Sequence, residues 1–233
     1  MLRLHEGLYS AAYYRRIWSS SRASLFMLAR KWELIARMIG DEHLNLSAAW
    51  VLDLGAGGGN DCACLRDLGF RGDRIVALDL LRRCALGARR SHPWMLSLQG
   101  DAARVPFRDG FFTVVYQSTM ISSVLDDARR GRILEEAARV LAPGGIFVSY
   151  DTRYPNPLNP HTRPLRIAEI RRAFSGWSLR AHSVTGIPQL LRLLAPVSIR
   201  ACRLVEVLPP LRSHLLAVAR KPYPPDVPMR ERK

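Results

Sequence analysis

The stretch VLDLGAGGGND, residues 51–61, limits the fold more than any other part of the chain. A short apolar run, Trp50–Leu54, passes directly into Gly55-x-Gly57-x-Gly59, and a helical pattern follows over 60–69. Glycines here let the backbone turn sharply and let a ligand approach closely, with a helix N-terminus facing it. The spacing excludes two other glycine loops. A nicotinamide fingerprint reads G-x-G-x-x-G, and position 60 is Asn60. A phosphate-gripping loop needs Gly-Lys-Ser/Thr, which is absent.

The pattern then repeats. Arg74–Leu80 is a second apolar run with a helix over 81–91, and Trp94–Leu98 a third strand. Asp79 ends the second run, twenty residues after Gly59. In a doubly wound sheet that carboxylate lies beside the ligand crevice, where it can accept from both hydroxyls of a ribose. The plain alternative is a strand-end Asp capping the next helix. Gly100-Asp101-Ala102 makes a third turn on the same edge. Phe111–Tyr116 is a fourth strand. Residues 126–141 form a helix with Ile133, Leu134, Ala137, Val140 and Leu141 on its apolar face. Pro143-Gly144-Gly145 breaks it before a fifth strand, Ile146–Tyr150. Apolar strands alternating with helices predict an α/β fold. The sheet is Rossmann-like, doubly wound, mostly parallel and seven-stranded, with helices on both faces.

Outside this frame, residues 10–39 read as one or two helices, with Leu25, Leu28, Trp32, Ile35 and Ile39 on the apolar stripe. The loop after Asp151, TRYPNPLNPHTRP, carries four prolines in thirteen residues, and a loop of that length is usually functional. Residues 165–174 read as helical, Trp177–Thr185 as a strand, Gly186–Leu208 as one or two helices interrupted at Pro196, and Ser213–Arg220 as the last strand. The division expected is a helical cap at 1–49, a main domain at 50–221 with insertions at 152–175 and 186–212, and a flexible tail at 222–233.

The chain has 233 residues, enough for one large domain burying roughly 70–75% of its unfolded surface. Four cysteines do not make a disulfide framework at this length, and Cys62-x-Cys64 lacks the second pair a zinc site needs. No metal is expected. No apolar stretch approaches the ~18 residues of a membrane span, and MLRLHEGLYSAAYYRR has no apolar signal core. A cytoplasmic location fits. The net charge is +15, and only three of the 35 basic residues are Lys. Arginine falls in scattered doublets such as Arg129-Arg130 rather than in one arm. A GC-rich genome writing Arg for Lys is one reading, and a polyanionic partner is the other. The Arg-rich segment 187–212 could lie on an acidic bilayer, or its apolar face could be core.

VLDLGAGGGN (51–60), ALD (77–79), GDAARVPFRDGFF (100–112) and EAARVLAPGGIFV (136–148) together resemble the class I S-adenosylmethionine-dependent methyltransferases. The resemblance covers roughly residues 50–150 and implies S-adenosylmethionine as cofactor. It implies that Gly55, Gly57 and Gly59 border the methionine part, with Ala56 beside them, and that Asp53 orients the loop and the ammonium group. Asp79, with Leu80 next to it, would hold the ribose. Asp101 would take the adenine amino group, with Ala102 on the adenine face, and Gln117 would lie near the sulfonium methyl. The family usually has Phe-Asp at the start of the fourth strand; here Thr113 follows Phe112, which puts a local hydrogen bond in question.

The acceptor is expected beyond the carboxyl ends of strands four and five. His161 is the candidate base because His titrates near neutral pH, with Asp151 as the alternative. Tyr14, Ser118, Arg153, Tyr154, Asn156 and Arg163 are candidate acceptor contacts, and the arginines would suit an anionic handle. The loop and the N-terminal helices around Tyr13–Trp18 are expected to close over the acceptor. The amino-methylating nucleic-acid branches of the family often carry Asn/Asp-Pro-Pro-Tyr/Phe after strand four. Tyr116-Gln117-Ser118-Thr119 does not match. The resemblance is to the small-molecule and glycan branch. A nucleic-acid acceptor using the basic surface is the alternative, and a non-catalytic binding protein the third. Oligomeric state is not legible.

Overall fold

The computed structural model describes residues 21–155 and 159–224. Along the chain run α1 (Arg22–Gly40), β1 (Val51–Leu54), α2 (Asn60–Asp67), β2 (Ile75–Asp79), α3 (Arg82–Ser91), β3 (Leu96–Gln99) and β4 (Phe112–Ser118). They are followed by α4 (Asp127–Val140), β5 (Leu141–Thr152), α5 (Ile167–Ala173), β6 (Ser178–Gly186), α6 (Pro188–Leu194), α7 (Ile199–Val207) and β7 (Arg212–Arg220). The seven strands form one sheet in the order β3-β2-β1-β4-β5-β7-β6. The β1–β2, β2–β3, β1–β4 and β4–β5 pairs are parallel.

That order explains the site. The chain winds outward from β1 to β3, then returns to lay β4 on the other side of β1. Right-handed crossovers therefore put α2 and α3 on one face and α4 on the opposite face. The reversal between β1 and β4 opens a crevice at their carboxyl ends. The central strands are mainly apolar because both faces are covered: Val51, Leu52, Leu54, Ile75, Val76, Val114, Val115, Phe147 and Val148 are all buried.

Three readings change. The α1 stripe holds at Ile35 and Ile39 but not at Leu25: Ala23, Phe26 and Met38 join the buried side, whereas Leu25 is 57% exposed. β3 begins at Leu96 rather than Trp94. Pro143-Gly144-Gly145 lies inside β5 instead of before it. Phe112 pairs with Leu141 and Val114 with Ile146, so two steps of β4 face five of β5. The extra residues bulge out. Gly144 takes φ 74°, and a Cβ on Gly145 would sit 2.9 Å from the carbonyls of Ala142 and Thr113. The sequence at this bulge therefore has to be glycine.

The chain divides into two compact units, and the boundary passes through α1, β6 and β7. One takes α1 up to Arg37 together with Ser183–His214; the other takes Met38–His182 and the chain from Leu215. The first has its own core of Ala23, Phe26, Leu191, Ala195, Cys202 and Val205. In the second, Arg180 pairs with Asp41 at 2.8 Å and Glu42 at 2.6 Å, and Arg220 pairs with Glu42 at 3.2 Å.

Candidate active site

The glycine loop is set by backbone geometry. Gly55, Gly57 and Gly59 have φ of 73°, 56° and 80°, a region costly to any residue with a Cβ. Space forbids one too. At Gly55 a Cβ would lie 2.3 Å from Met120 Cγ, and at Gly59 2.5 Å from Met95 Cε. The loop hangs on β2, because the N–H groups of Gly55 and Ala56 both donate to the Leu78 carbonyl, at 2.8 and 3.1 Å. Beneath it, Asp53 is buried and accepts from Cys62 Sγ at 3.2 Å. This contact ties β1 to α2. Burial and the Asp53 carboxylate push the Cys62 thiol well above its ordinary pKa. Cys62 is thus packed as a buried thiol against Asp53.

Asp79 stands at the carboxyl end of β2 and closes the loop. Its Oδ2 accepts from the Gly57 N–H at 2.8 Å and its Oδ1 from the Leu81 N–H at 2.9 Å. Burial raises its pKa, and these two bonds oppose the rise. The capping alternative is realised only in part, since Leu81 is the residue before α3 and no side chain caps the helix itself. Capping does not exhaust the group. The Cys84 thiol adds a third bond, and a carboxylate has about four lone-pair sites, so the group keeps acceptor capacity for a ligand hydroxyl. The donor set fits a nucleoside with a small cationic tail: a carboxylate at the lip, a turn without side chains and a helix N-terminus.

Asp101, on the turn after β3, accepts from the Ala103 N–H at 2.9 Å and pairs with Arg129 at 2.7 Å, both through Oδ1. The guanidinium of Arg129 is thus held beside the carboxylate that the resemblance assigns to adenine. Ala102 packs against the core edge, and Leu80 is partly exposed.

The β4–β5 edge is made of buried side chains. Gln117 is wholly buried; its Nε2 donates to Ser149 Oγ at 2.6 Å and Asp151 Oδ2 at 3.2 Å. Its Oε1 accepts from the N–H groups of Met120 and Ile121 at 3.1 and 3.4 Å. The amide therefore holds the β4 turn and presents no free edge to a ligand. Asp151 is also fully buried. It accepts from the N–H groups of Ser122 at 3.1 Å and Thr152 at 2.7 Å. Burial pushes its pKa up against these bonds. Asp151 anchors the turn after β4, and that burial removes it from the surface where a base would work. Thr119 takes φ 52° in this turn, and its N–H donates to the Tyr150 carbonyl at 2.8 Å. Ser118 remains partly exposed beside it.

One residue here escaped the sequence reading. Arg130 is 1% exposed. It donates to Glu169 at 2.9 and 3.1 Å and to the carbonyls of Ile121, Val124, Arg163 and Pro164 at 3.1–3.3 Å. It joins the turn after β4, the loop after β5 and α5. The signal was present: Arg130, Ile133, Leu134 and Ala137 share one helical face.

The loop after β5 is anchored over 159–166. The Arg163 N–H donates to the Ser122 carbonyl at 2.8 Å, and the Leu165 N–H to the Thr152 carbonyl at 3.1 Å. Arg163 pairs with Asp127 and so does not stand free at the acceptor mouth. Arg153 lies over the Tyr154 ring at 4.8 Å, and Tyr154 is exposed. His161 is partly exposed, its backbone N–H donating to Asn159 Oδ1 at 3.1 Å. Tyr14, Asn156 and the Tyr13–Trp18 segment lie outside the described residues. At the other end of β4, Thr113 Oγ1 accepts from the Trp50 N–H at 3.3 Å. A hydroxyl thus makes the local bond that the missing Asp left in question.

Comparison with known proteins agrees with this geometry. Residues 52–149 match a methyltransferase domain family. A probable S-adenosylmethionine-dependent methyltransferase of Mycolicibacterium smegmatis is 27% identical over 59% of this chain and 54% of its own length. The demethylmenaquinone methyltransferase of Beutenbergia cavernae is 38% identical over 42% of this chain and 38% of its own. The chain thus spans about half or less of the length of these two relatives. A Thermotoga maritima structure, described as an S-adenosylmethionine-dependent and possible histamine N-methyltransferase, superposes with a TM-score of 0.62. It is 18% identical and covers 95% of this chain and all of its own. At that identity it supports the fold alone. The glycine loop, Asp79, the strand order and the matched domain together identify residues 52–149 as a methyltransferase domain of the class I S-adenosylmethionine-dependent type.

Proposed function

We propose that the chain transfers a methyl group from S-adenosylmethionine to a small-molecule or glycan acceptor, with a hydroxyl as the favoured target. The observation that carries the cofactor half is the pair of bonds tying Asp79 to Gly57 and Leu81, which fixes a carboxylate at the lip of a side-chain-free turn. When bound, the cofactor supplies an electrophilic methyl on a sulfonium, so the protein needs mainly to align the acceptor and exclude water. Asp79 accepts from the ribose hydroxyls. Asp101 accepts from the adenine amine through Oδ2, while Arg129 holds Oδ1. Asp53 stiffens the loop from below.

The acceptor half rests on the β4 edge. Its turn is Gln117-Ser118-Thr119, with the amide turned inward, and it lacks the Asn/Asp-Pro-Pro-aromatic element of base-amine methylation. Several arginines are bound to the protein's own carboxylates, as at Arg129, Arg139, Arg163 and Arg180. The name of the Beutenbergia relative, demethylmenaquinone methyltransferase, is in line with a small-molecule acceptor. His161 serves as the base that removes a hydroxyl proton; it is the partly exposed titratable side chain of the anchored loop.

The test is transfer of labelled methyl groups into extracts separated into small-molecule, glycan and RNA fractions. Label in the first two supports the reading, and label in tRNA or rRNA above background overturns it. With the acceptor in hand, His161→Ala should lower turnover by roughly 100- to 10,000-fold, with cofactor affinity as the folding control. Full turnover in that variant removes the base and points to a nitrogen acceptor.

A further inference from the structure

The two helices between β6 and β7 form a hairpin with two apolar faces, of which one is packed. Leu191 and Ala195, on α6 and just after it, and Cys202 and Val205 of α7 are buried against Ala23 and Phe26 of α1. On the other side Leu193 is 73% exposed, Val197 85%, Leu204 68%, Val207 64% and Leu208 54%. Of the two sequence readings of 187–212, the core reading accounts for only the first face.

The bare face is also basic. Arg192, Arg200 and Arg203 are exposed, and none forms a salt bridge among the described residues. On α7, Arg200, Arg203, Leu204 and Val207 follow one another at helical spacing and share one side. The sole acid between 183 and 214 is Glu206. It is buried, and it accepts from Arg30 Nε at 2.8 Å and the Gly186 N–H at 3.3 Å. Glu33 of α1, which feels Arg203, is itself paired with Arg30 at 2.5 Å. The hairpin therefore presents aliphatic side chains and guanidinium groups with no exposed carboxylate of its own.

We propose that this face docks on an anionic lipid surface. A soluble surface rarely leaves this many large aliphatic groups bare in one place. A nucleic-acid backbone would reward the arginines but give nothing to the five aliphatic side chains. A bilayer interface rewards both. The aliphatic groups enter the boundary between headgroups and acyl chains, and the arginines reach lipid phosphates, which they can bind in bidentate fashion. No helix among the described residues is long and apolar enough to cross a membrane, so the hairpin lies on the surface. The inference uses none of the residues assigned to the cofactor or acceptor, and its failure would leave the methyltransferase reading standing.

The test is co-sedimentation of the full chain with vesicles of phosphatidylcholine, with and without phosphatidylglycerol, at low and high salt. Binding should require the anionic lipid and weaken with salt. A triple variant, Arg192→Gln, Arg200→Gln and Arg203→Gln, should lose on the order of 100-fold in partitioning, from about fivefold per basic residue. A second variant, Leu193→Ser, Val197→Ser and Leu204→Ser, changes exposed positions only and should lose binding while keeping its thermal midpoint. Three results would overturn the proposal: no anionic-vesicle binding by the wild type, binding unchanged in both variants, or a wild-type dimer in sedimentation velocity that the serine variant dissolves. RNA binding lost in the arginine variant but kept in the serine variant, without vesicle binding, would reassign the face to nucleic acid.

Discussion

At the ends of β1 and β2 the protein bends a backbone; at the ends of β4 and β5 it buries an amide, a carboxylate and a guanidinium. The first edge holds its shape through three left-handed glycines and two N–H donors on the Leu78 carbonyl. Few side chains are involved, and the one that matters, Asp79, ties the loop to the end of β2. The second edge holds its shape through Gln117, Ser149, Asp151 and Arg130, with every contact directed inward. The difference separates two tasks. A site for one invariable cofactor can be built from backbone, which permits little variation. A site for an acceptor needs exposed groups that can change, carried on a scaffold whose rigidity lies underneath.

This contrast can be broken by substitution. The largest effect is expected at Arg130. Arg130→Met removes six hydrogen bonds to Glu169 and four carbonyls, and unfolding in urea should show a loss of about 3–5 kcal/mol. A loss under ~1 kcal/mol would mean that the second edge is not held from below. Gly55→Ala comes next. Positive φ and the 2.3 Å approach to Met120 should together cost roughly 2–4 kcal/mol, and cofactor affinity should fall with stability. A variant that binds the cofactor normally would show that the loop tolerates side chains. The smallest change is Thr113→Val, which removes one hydrogen bond to Trp50. About 1 kcal/mol of stability should go, with cofactor affinity unchanged in calorimetry.

The same contrast explains what was legible in the sequence. The glycine loop, the strands on either side and Asp79 could be read because glycine at a forced φ and apolar runs under covered faces are local signals. Pro143-Gly144-Gly145 was visible as a break, but its placement within β5 depends on pairing with β4, which is not local. Gln117 and Asp151 were seen as polar groups at strand ends and assigned outward. Their inward direction depends on Ser122 and Ser149, 5 and 32 residues from Gln117. Arg130 was hidden in a doublet, although its register with Ile133 and Ala137 marked it as facing the core.

The central claim is that Asp79, at the lip of the glycine turn, holds the cofactor, whereas the buried network at the β4–β5 edge does not touch it. Titration calorimetry of S-adenosylmethionine against wild type, Asp79→Ala and a folded Arg130→Met sample tests this directly. Loss of two charge-assisted bonds should weaken binding to Asp79→Ala by about 2–4 kcal/mol, while Arg130→Met keeps wild-type affinity. Unchanged affinity in Asp79→Ala, or an equal loss in both variants, would contradict the account.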